Sequence, residues 1–394
     1  MAMRSGISVG AAVALLALVA GCSSPPDGQR SGSATGAAAK RAAGRTGDSA
    51  AGRFTLIASG DVLPHDSVIR QAHQDAQGAE PDHDFRPMLA GVKPIVSKAD
   101  LALCHMETVY GPEGGPFTGY PMFVSPPQVA EALADTGYDG CSTASNHTLD
   151  AGTAGVERTL GALDKAGVRH AGSARSADEA DRPVLLRAGP ATVGHLSYTY
   201  GTNGIPVPED RPWTVNLIDE KRIVADARAA RKAGADVVVV SLHWGTEWQQ
   251  APDEQQLSLA RLLTAARSGG GPAIDLILGT HNHVPQPYEK VNGTWVVYGM
   301  GDQLAGSMIN HAGAHDPRGD QGSLARFTFA GPEHEGGRWT VEKAEFIPQI
   351  ADQGPPIRVV APGGGSGGRS SDVRAVREAV LSRGADKDGL VMGR

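Results

Sequence analysis

Apolar and polar positions alternate in blocks along most of the chain. Short apolar runs, several of them rich in β-branched residues, predict strands. These predicted strands cover residues 54–59, 99–104, 138–143, 192–198, 237–242, 274–278, 295–298, 324–329 and 339–346. Stretches with apolar residues at helical spacing lie between them and predict helices at residues 128–135, 155–166, 219–232 and 253–267. This alternation indicates a layered α/β fold with mostly parallel strands. The last two runs, with no helix between them, indicate a C-terminal antiparallel hairpin.

The first residues have the pattern of an export signal. Arg4 precedes an apolar run at residues 7–20 that is too short for an ordinary membrane span. Small residues then lead to Cys22, which is typical of a lipoprotein signal peptide covering residues 1–21, with a plain secretory signal as the alternative. Lipidation of Cys22 with two acyl chains would anchor the chain durably. We therefore expect an extracytoplasmic lipoprotein anchored to the cell membrane.

Composition divides the rest of the chain into three parts. Residues 22–52 are rich in Gly, Ser and Ala and have almost no large apolar side chain, which predicts a disordered tether. Residues 53–361 contain the predicted strands and helices and form the predicted domain. Residues 362–394 begin with a Gly-rich linker and continue as a short C-terminal tail, with one predicted helix at 372–383.

The net charge of the chain says little about its binding partners. The 394 residues include 36 Lys and Arg against 43 Asp and Glu, a formal net charge of −7. This charge gives no reason to propose a nucleic acid partner, whereas an anionic substrate stays compatible because a bound metal reverses the local field.

Cys104 and Cys141 each lie at or near the end of a predicted strand. Export permits a disulfide between them, and two buried free thiols are the alternative.

Polar side chains follow the predicted strands at the point where each strand ends. Ligands bind beyond the carboxyl ends of strands in open α/β sheets, so these positions are candidates for one site. Strand-end segments carry five of the 13 histidines, namely His105, His147, His243, His281 and His283. Any one of them alone is more often a surface or core histidine, but their shared position favours metal binding.

Two strand-end segments carry the strongest signals. His281 and His283 directly follow an apolar strand, so a turn there would bring both imidazoles to neighbouring metal ions; two solvated histidines are the alternative. Asn146 offers a neutral oxygen ligand that suits hard or borderline divalent ions. The adjacent His147 is then free to donate a proton, and Asp150 could orient its imidazole, although the segment also suits a turn and helix start.

Two carboxylates, Asp61 and Glu107, follow neighbouring strands. They would balance the charge of two divalent cations. The alternative for Asp61 is a simple turn, because a Gly-Asp pair alone often marks one. His65, four residues after Asp61, is a further candidate ligand.

The segment after residues 237–242 adds one more ligand candidate, His243. Trp244 and Glu247 follow it and are candidates for lining a substrate cleft. Packing for Trp244 and a solvated charge for Glu247 are the alternatives.

The order of these segments resembles the calcineurin-like metallophosphoesterases, and more closely their CapA (poly-γ-glutamate capsule biosynthesis) branch. The matching segments are residues 58–62, 103–108, 144–152, 241–247, 279–286 and 298–302, the last resembling the family's Tyr-Ser-Leu-Gly-Asn turn. Two segments depart from the pattern. Leu63 stands where the superfamily has the His of Asp-x-His, and His105 and Met106 replace the Asn-Leu of the family's Asn-Leu-Glu.

The resemblance implies a four-layer α/β/β/α sandwich of the metallophosphatase type, with two divalent metal ions (Mn, Fe or Zn). One ion would be held by Asp61, Glu107, His283 and His65, and the other by Glu107, Asn146, His243 and His281. Glu107 would bridge the ions, a metal-bridging hydroxide would attack the substrate, and His147, oriented by Asp150, would protonate the leaving group. The predicted substrate contacts are Trp244, Glu247 and His105.

Two functions of different kinds follow from this resemblance. The first is a metal-dependent hydrolase of the cell envelope, acting on a phosphoester or on an isopeptide-type amide, because two-metal sites serve both. The second is a non-catalytic assembly or export factor that holds an anionic polymer beside membrane synthase subunits. Replacement of His147 by Ala distinguishes them. A hydrolase would lose turnover while keeping its metals, whereas a polymer-binding protein should tolerate the change.

Overall fold

The computed structural model describes residues 52–334, 336–362 and 369–394. The predicted signal peptide, the predicted lipidation site Cys22 and the predicted tether up to residue 51 lie outside the described residues. Among the helices that the structure describes, none is long and apolar enough to cross a membrane.

Seventeen strands and nine α-helices are present in the described residues. The strands are β1 (Arg53–Val62), β2 (Leu101–Met106), β3 (Gly140–Ser142), β4 (Arg169–Ala171), β5 (Val184–Ala188), β6 (Ala191–Thr199), β7 (Val237–His243), β8 (Arg267–Ser268), β9 (Gly271–Pro272), β10 (Leu276–Thr280), β11 (Tyr288–Val291), β12 (Thr294–Val297), β13 (Asp302–Leu304), β14 (Gln321–Ala330), β15 (Thr340–Asp352), β16 (Arg358–Val360) and β17 (Leu390–Met392). The helices are α1 (Asp66–Asp75), α2 (Arg86–Leu89), α3 (Lys93–Val96), α4 (Gln128–Thr136), α5 (Gly152–Ala166), α6 (Ala177–Ala180), α7 (Glu220–Lys232), α8 (Glu254–Ala265) and α9 (Ser370–Leu381). Short 3₁₀ turns cover Pro212–Thr214, Pro317–Asp320 and Ala385–Asp388.

Two mixed sheets carry nearly all of these strands. The first has the order β16-β15-β14-β1-β2-β3-β4, with β13 beside β1 and β17 beside β15. The second has the order β11-β12-β10-β7-β6-β5, and β8 pairs only with β9. Strands β1 to β4 are parallel, as are β12, β10, β7 and β6, whereas β14 runs antiparallel to both β1 and β15. The mixed, parallel-rich α/β class predicted from the sequence is therefore confirmed.

Strand β7 shows why an unbroken apolar run forms here. Val237 and Val239 pack with side chains of the first sheet, whereas Val238 and Val240 pack against α7 and α8. Successive side chains of a strand point to opposite faces, so a strand covered on both faces needs apolar residues at every position. Helices α1 to α5 contribute side chains to a separate cluster with β1 and β2, on the far side of the first sheet.

A disulfide joins Cys104 and Cys141, which the sequence left as either bonded or free. The two residues are direct neighbours in the parallel register of β2 and β3, with Cα atoms 4.4 Å apart. The bond therefore ties together two strands whose next residues, His105 and Ser142, belong to the site described below.

The C-terminal residues contribute to the same fold. Helix α9 occupies nearly the span predicted for it, and Val376 and Val380 on one of its faces are fully buried in the core between the sheets. Strand β17 pairs with β15. The stretch that the sequence presented as a tail thus supplies a helix and an edge strand to the domain.

Candidate metal centre

Polar side chains from six strands meet at one edge of the two sheets. Asp61 lies near the end of β1, His243 ends β7, and Asp302 begins β13. The other members of the site come from the end of β2 or from the loops after β2, β3 and β10, and they are His105, Glu107, Asn146, His147, His281 and His283. All of these side chains are buried, each 5% exposed or less. The strand-end positions singled out in the sequence therefore do converge.

Close backbone contact brings two of these strands together. A Cβ atom at Gly60 would overlap the carbonyl oxygen of Gly301, so only glycine permits β1 and β13 to approach in this way. As a result, Asp61 lies directly beside Asp302 in the parallel register. Sequence reasoning missed Asp302 as a site residue. The available signal was its position at the end of the 298–302 turn, where the family pattern has asparagine.

The loop after β10 has an unusual backbone. His281 and His283 both have positive φ angles, 93° and 57°, a region that side-chain-bearing residues rarely occupy. The main-chain N–H of His281 donates to both carboxylate oxygens of Asp61, at 3.3 and 3.2 Å, which holds the loop against β1. Local strain of this kind persists where the surroundings fix it and is concentrated at functional sites.

Three carboxyl groups are buried side by side in this site. Burial, followed by repulsion from Asp302, raises the pKa of Asp61 to about 8. Burial and the nearby Asp61 raise the pKa of Glu107 well above its usual range. Both carboxylate oxygens of Glu107 lack a hydrogen-bond partner within the described residues. Burying unpaired negative charge is costly, so this arrangement fits bound cations, and carboxylate and imidazole donors suit divalent metals.

The donors form two overlapping groups. Asp61, His105 and His243 form one, and Asp61, Glu107 and His283 form the other, with ligand atoms within 4.8 Å of one another in each group. Asp61 is common to both, whereas the resemblance had assigned the bridging position to Glu107. Glu107 also reaches towards the first group, because its Oε1 lies 3.8 Å from Nε2 of His243.

Asn146 and His281 lie beside the first group. The side-chain Nδ2 of Asn146 donates to Asn203 at 3.3 Å, which leaves its Oδ1 facing Nε2 of His243 at 2.8 Å. The ring of His281 lies 4.7 Å from that of His243, and its Nδ1 is buried with no partner in the described part of the chain. Both predicted ligands therefore lie beside His243, the residue with which the resemblance grouped them.

The structure does not place His65 in either donor group. Its Nδ1 donates to the main-chain carbonyl of Ala305 at 2.7 Å, and its ring contacts the ring of Phe123 edge-on at 4.9 Å. His65 immediately precedes α1, and its main-chain N–H also bonds to Ala305. These contacts engage Nδ1 of His65 at Ala305, and the residue lies outside both donor groups.

His147 and Asp150 form the predicted pair. Nδ1 of His147 donates to Oδ2 of Asp150 at 2.6 Å, and the same oxygen accepts the main-chain N–H of Phe123 at 2.7 Å. The ring of Phe123 packs edge-on against His147, with centroids 4.7 Å apart. The imidazole is thus fixed in one orientation, with Nε2 as the nitrogen not engaged by Asp150.

The three predicted substrate contacts lie in three different environments. Trp244 is fully buried, and its Nε1 donates to the carbonyl of Tyr298 at 2.9 Å, so it packs in the core and is not available to a substrate. Glu247 lies at the rim, 3.6 Å from His311. His105 is buried inside the first donor group. Sequence reasoning missed Tyr200, which is 40% exposed and lies over His281 with ring centroids 4.5 Å apart; its signal was its position after strand 192–198.

A family model described as "Bacterial capsule synthesis protein PGA_cap" matches residues 55–307 of the chain. The chain belongs to the PGA_cap family. The matched range contains every residue of both donor groups, together with His147, Asp150 and Asp302. Family membership thus agrees with the CapA resemblance drawn from the strand-end motifs.

Individual relatives are similar over part of their length. "PGA biosynthesis protein CapA" of Bacillus subtilis is 30% identical over 174 residues, covering 44% of this chain and 44% of that protein. A "Probable polyglutamine synthesis accessory protein" of Mycobacterium tuberculosis is 29% identical over 219 residues, covering 52% of this chain and 55% of that protein. The chain spans about half the length of these relatives. Among solved structures, a phosphatase of Mycoplasma pneumoniae aligns with a TM-score of 0.46 and 15% identity, covering 78% of this chain and 96% of that one.

Proposed function

We propose that this PGA_cap protein is a metal-dependent hydrolase with a dinuclear centre of Mn, Fe or Zn in a metallophosphatase-type four-layer sandwich. The observation that carries the proposal is the pair of overlapping donor groups that share Asp61. The buried carboxylate of Glu107 supports it, because neither of its oxygens has a hydrogen-bond partner in the described residues and the nearby positive charge would have to come from imidazoles such as His243. Two adjacent cations would remove that cost.

The chain's own residues supply the other parts of a hydrolytic site. Bound divalent ions would provide Lewis acidity and a water of lowered pKa. His147, held by Asp150, is placed to pass a proton to a leaving group. Tyr200 and Glu247 at the opening would position the substrate beside His281 and Glu107.

The substrate class is proposed from the relatives' names together with the site. Those names refer to synthesis of PGA and of polyglutamine. An anionic polymer with γ-glutamyl amide bonds, or a phosphoester, would be attracted by the cations despite the net charge of −7. We also propose that lipidation of Cys22 anchors the chain outside the cytoplasm, next to membrane synthase subunits.

A second function is favoured by the same names, which describe synthesis rather than cleavage. In that case the metal ions would hold polymer carboxylates without turnover, and the protein would act in assembly or export. The hydrogen-bonded pair of His147 and Asp150 favours catalysis, because polymer binding alone does not require it.

The test is hydrolysis by the metal-reconstituted protein of a panel of phosphoesters and γ-glutamyl amides. Wild type and His147→Ala are compared at equal metal content, with His170→Ala, a half-buried histidine outside the site, as the control. Turnover that is lost only in His147→Ala supports the hydrolase. Polymer binding that is the same in all three proteins, without turnover, supports the assembly factor.

A further inference from the structure

We infer that His105 is a metal ligand, in a nitrogen-rich subsite that favours zinc or iron over magnesium. The inference rests on the proposed dinuclear centre and adds to it a ligand that the family pattern lacks, because His105 stands where that pattern has asparagine. It also replaces the role of substrate contact that the sequence suggested for this residue.

The hydrogen bonds around His105 fix which nitrogen carries the proton. The hydroxyl of Ser142 donates to the main-chain carbonyl of Cys104 at 3.3 Å, and its oxygen lies 2.7 Å from Nδ1 of His105. Only one arrangement satisfies both hydrogen bonds, namely the one in which Nδ1–H of His105 donates to Ser142. The other nitrogen, Nε2, then presents a bare lone pair.

That lone pair faces a carboxylate. Nε2 of His105 is fully buried, has no hydrogen-bond partner in the described residues, and lies 3.7 Å from Oδ1 of Asp61. Two electron-pair donors held face to face in a buried site repel each other unless a cation lies between them. Metal–ligand distances of about 2.0–2.2 Å place two neighbouring ligands of one ion roughly 3–3.5 Å apart. The observed 3.7 Å is slightly wider, so a small approach of the two side chains would let both bind one ion.

A second imidazole completes the subsite. The ring of His243 stacks on that of His105 with centroids 4.8 Å apart and an angle of 24° between their planes. Its Nδ1 lies 3.9 Å from the same oxygen of Asp61. The first group therefore offers two imidazoles and one carboxylate, whereas the group of Asp61, Glu107 and His283 offers two carboxylates and one imidazole.

This difference makes the two subsites chemically unequal. Imidazole suits zinc, iron and other transition metals, whereas carboxylate suits magnesium and manganese as well. Asparagine at position 105 would offer only an amide oxygen in place of the second imidazole. The histidine thus specifies the metal preference of the first group.

The test uses His105→Phe in the full-length protein, which keeps an aromatic ring against His243 but removes both nitrogens. The matched control is His195→Phe. His195 is also a buried histidine that contacts a serine, Ser241, at 2.9 Å, but it belongs to neither donor group. Each metal-free protein is titrated with Zn²⁺ by calorimetry, and metal content is then measured after dialysis against equal Zn²⁺ and Mg²⁺.

We expect wild type and His195→Phe to bind two Zn²⁺ per chain. His105→Phe should keep one, and should lose the other or bind it at least 10- to 100-fold more weakly, the loss typical when even a supporting residue of a metal site is removed. The retained ion shows that the variant is folded. Two sites of unchanged affinity in His105→Phe would overturn the inference while leaving the dinuclear centre intact. No Zn²⁺ binding in the wild type would overturn the proposed function itself.

If His105→Phe does not fold, His105→Asn takes its place. The asparagine variant should bind Zn²⁺ more weakly relative to Mg²⁺ than wild type does in the same dialysis. An unchanged ratio of the two metals would contradict the assignment of His105 as the nitrogen ligand.

Discussion

Nδ1 of His283 lies 2.9 Å from Oδ1 of Asp302, and both side chains are buried. Burial alone lowers the pKa of this imidazole, but the adjacent carboxylate outweighs it and raises the pKa of His283 well above its usual range. The hydrogen bond engages Nδ1, so Nε2 is the nitrogen left for a metal in the donor group with Asp61 and Glu107. A carboxylate behind a metal-binding histidine fixes its orientation and strengthens it as a ligand.

Replacing Asp302 by Asn should therefore weaken metal binding without removing a ligand. The amide keeps the size and a hydrogen-bonding oxygen but loses the charge. We expect an affinity about 10- to 100-fold lower for one of the two ions, measured by calorimetry with Mn²⁺ or Zn²⁺. Equal affinity in Asp302→Asn and wild type would show that the carboxylate has no supporting role.

Replacing Asp150 by Asn should impair proton transfer but not metal binding. Asp150 contacts His147 and the backbone of Phe123, and it belongs to neither donor group. We expect turnover of the best substrate to fall by about 10²- to 10⁴-fold, the usual contribution of general acid–base catalysis, at unchanged metal content. If metal is lost together with activity, Asp150 acts on the structure of the centre instead.

In the metal-free protein, the contribution of Asp61 to stability should be lost as pH rises from about 4 to about 8. Asp61 has a pKa of about 8 in the fold against 3.8 for an unperturbed side chain. Between these values the folded state binds more protons than the unfolded state, so the stabilising contribution is complete below the lower value and is lost as pH passes the upper one. Metal ions should restore stability most strongly at the high end, where the carboxylate is already ionised.

Thermal unfolding in a chelator across this pH range measures the effect. The Asp61→Asn variant is the control, because it cannot titrate at this position. The stability of wild type relative to this variant should therefore fall as pH rises through this range. Parallel curves for wild type and variant would contradict the assignment of the effect to Asp61.

Trp244 and Tyr200 should have opposite roles. Trp244→Ala should reduce the free energy of unfolding by about 3–5 kcal/mol, because it empties a fully buried site in the core. Tyr200→Ala should leave stability nearly unchanged and alter substrate affinity, since its exposed ring lies at the opening beside His281. Chemical denaturation and Michaelis–Menten kinetics on both variants separate the two roles. A stable Trp244→Ala protein with impaired substrate binding would reverse the assignment.

The location of the site was predictable because strand ends carry a strong signal. A buried β-branched run such as residues 237–242, followed at once by His243, combines apolar packing with a polar terminus. Trp244 could also have been assigned correctly, because successive side chains at a strand end alternate in direction, and a ligand at 243 sends 244 to the opposite face.

Other features depend on contacts between distant residues. Asp302 enters the site only because Gly60 lets the backbone of β1 approach the carbonyl of Gly301, just before β13, which no local pattern reveals. The position of α9 depends on the packing of Val376 and Val380 in the core, although a Gly-rich stretch of sequence separates this helix from the preceding strands. The grouping of ligands around Asp61, rather than around Glu107, is likewise set by three-dimensional spacing.

The most direct test of the dinuclear centre is the metal content of the purified protein, measured by elemental mass spectrometry for wild type, Asp61→Asn and Glu107→Ala. We expect about two equivalents of manganese, iron or zinc per chain in the wild type. We also expect Asp61→Asn, which alters the residue common to both donor groups, to weaken retention of both ions. A wild-type protein that binds no divalent metal, even after reconstitution, would show that no dinuclear centre is present.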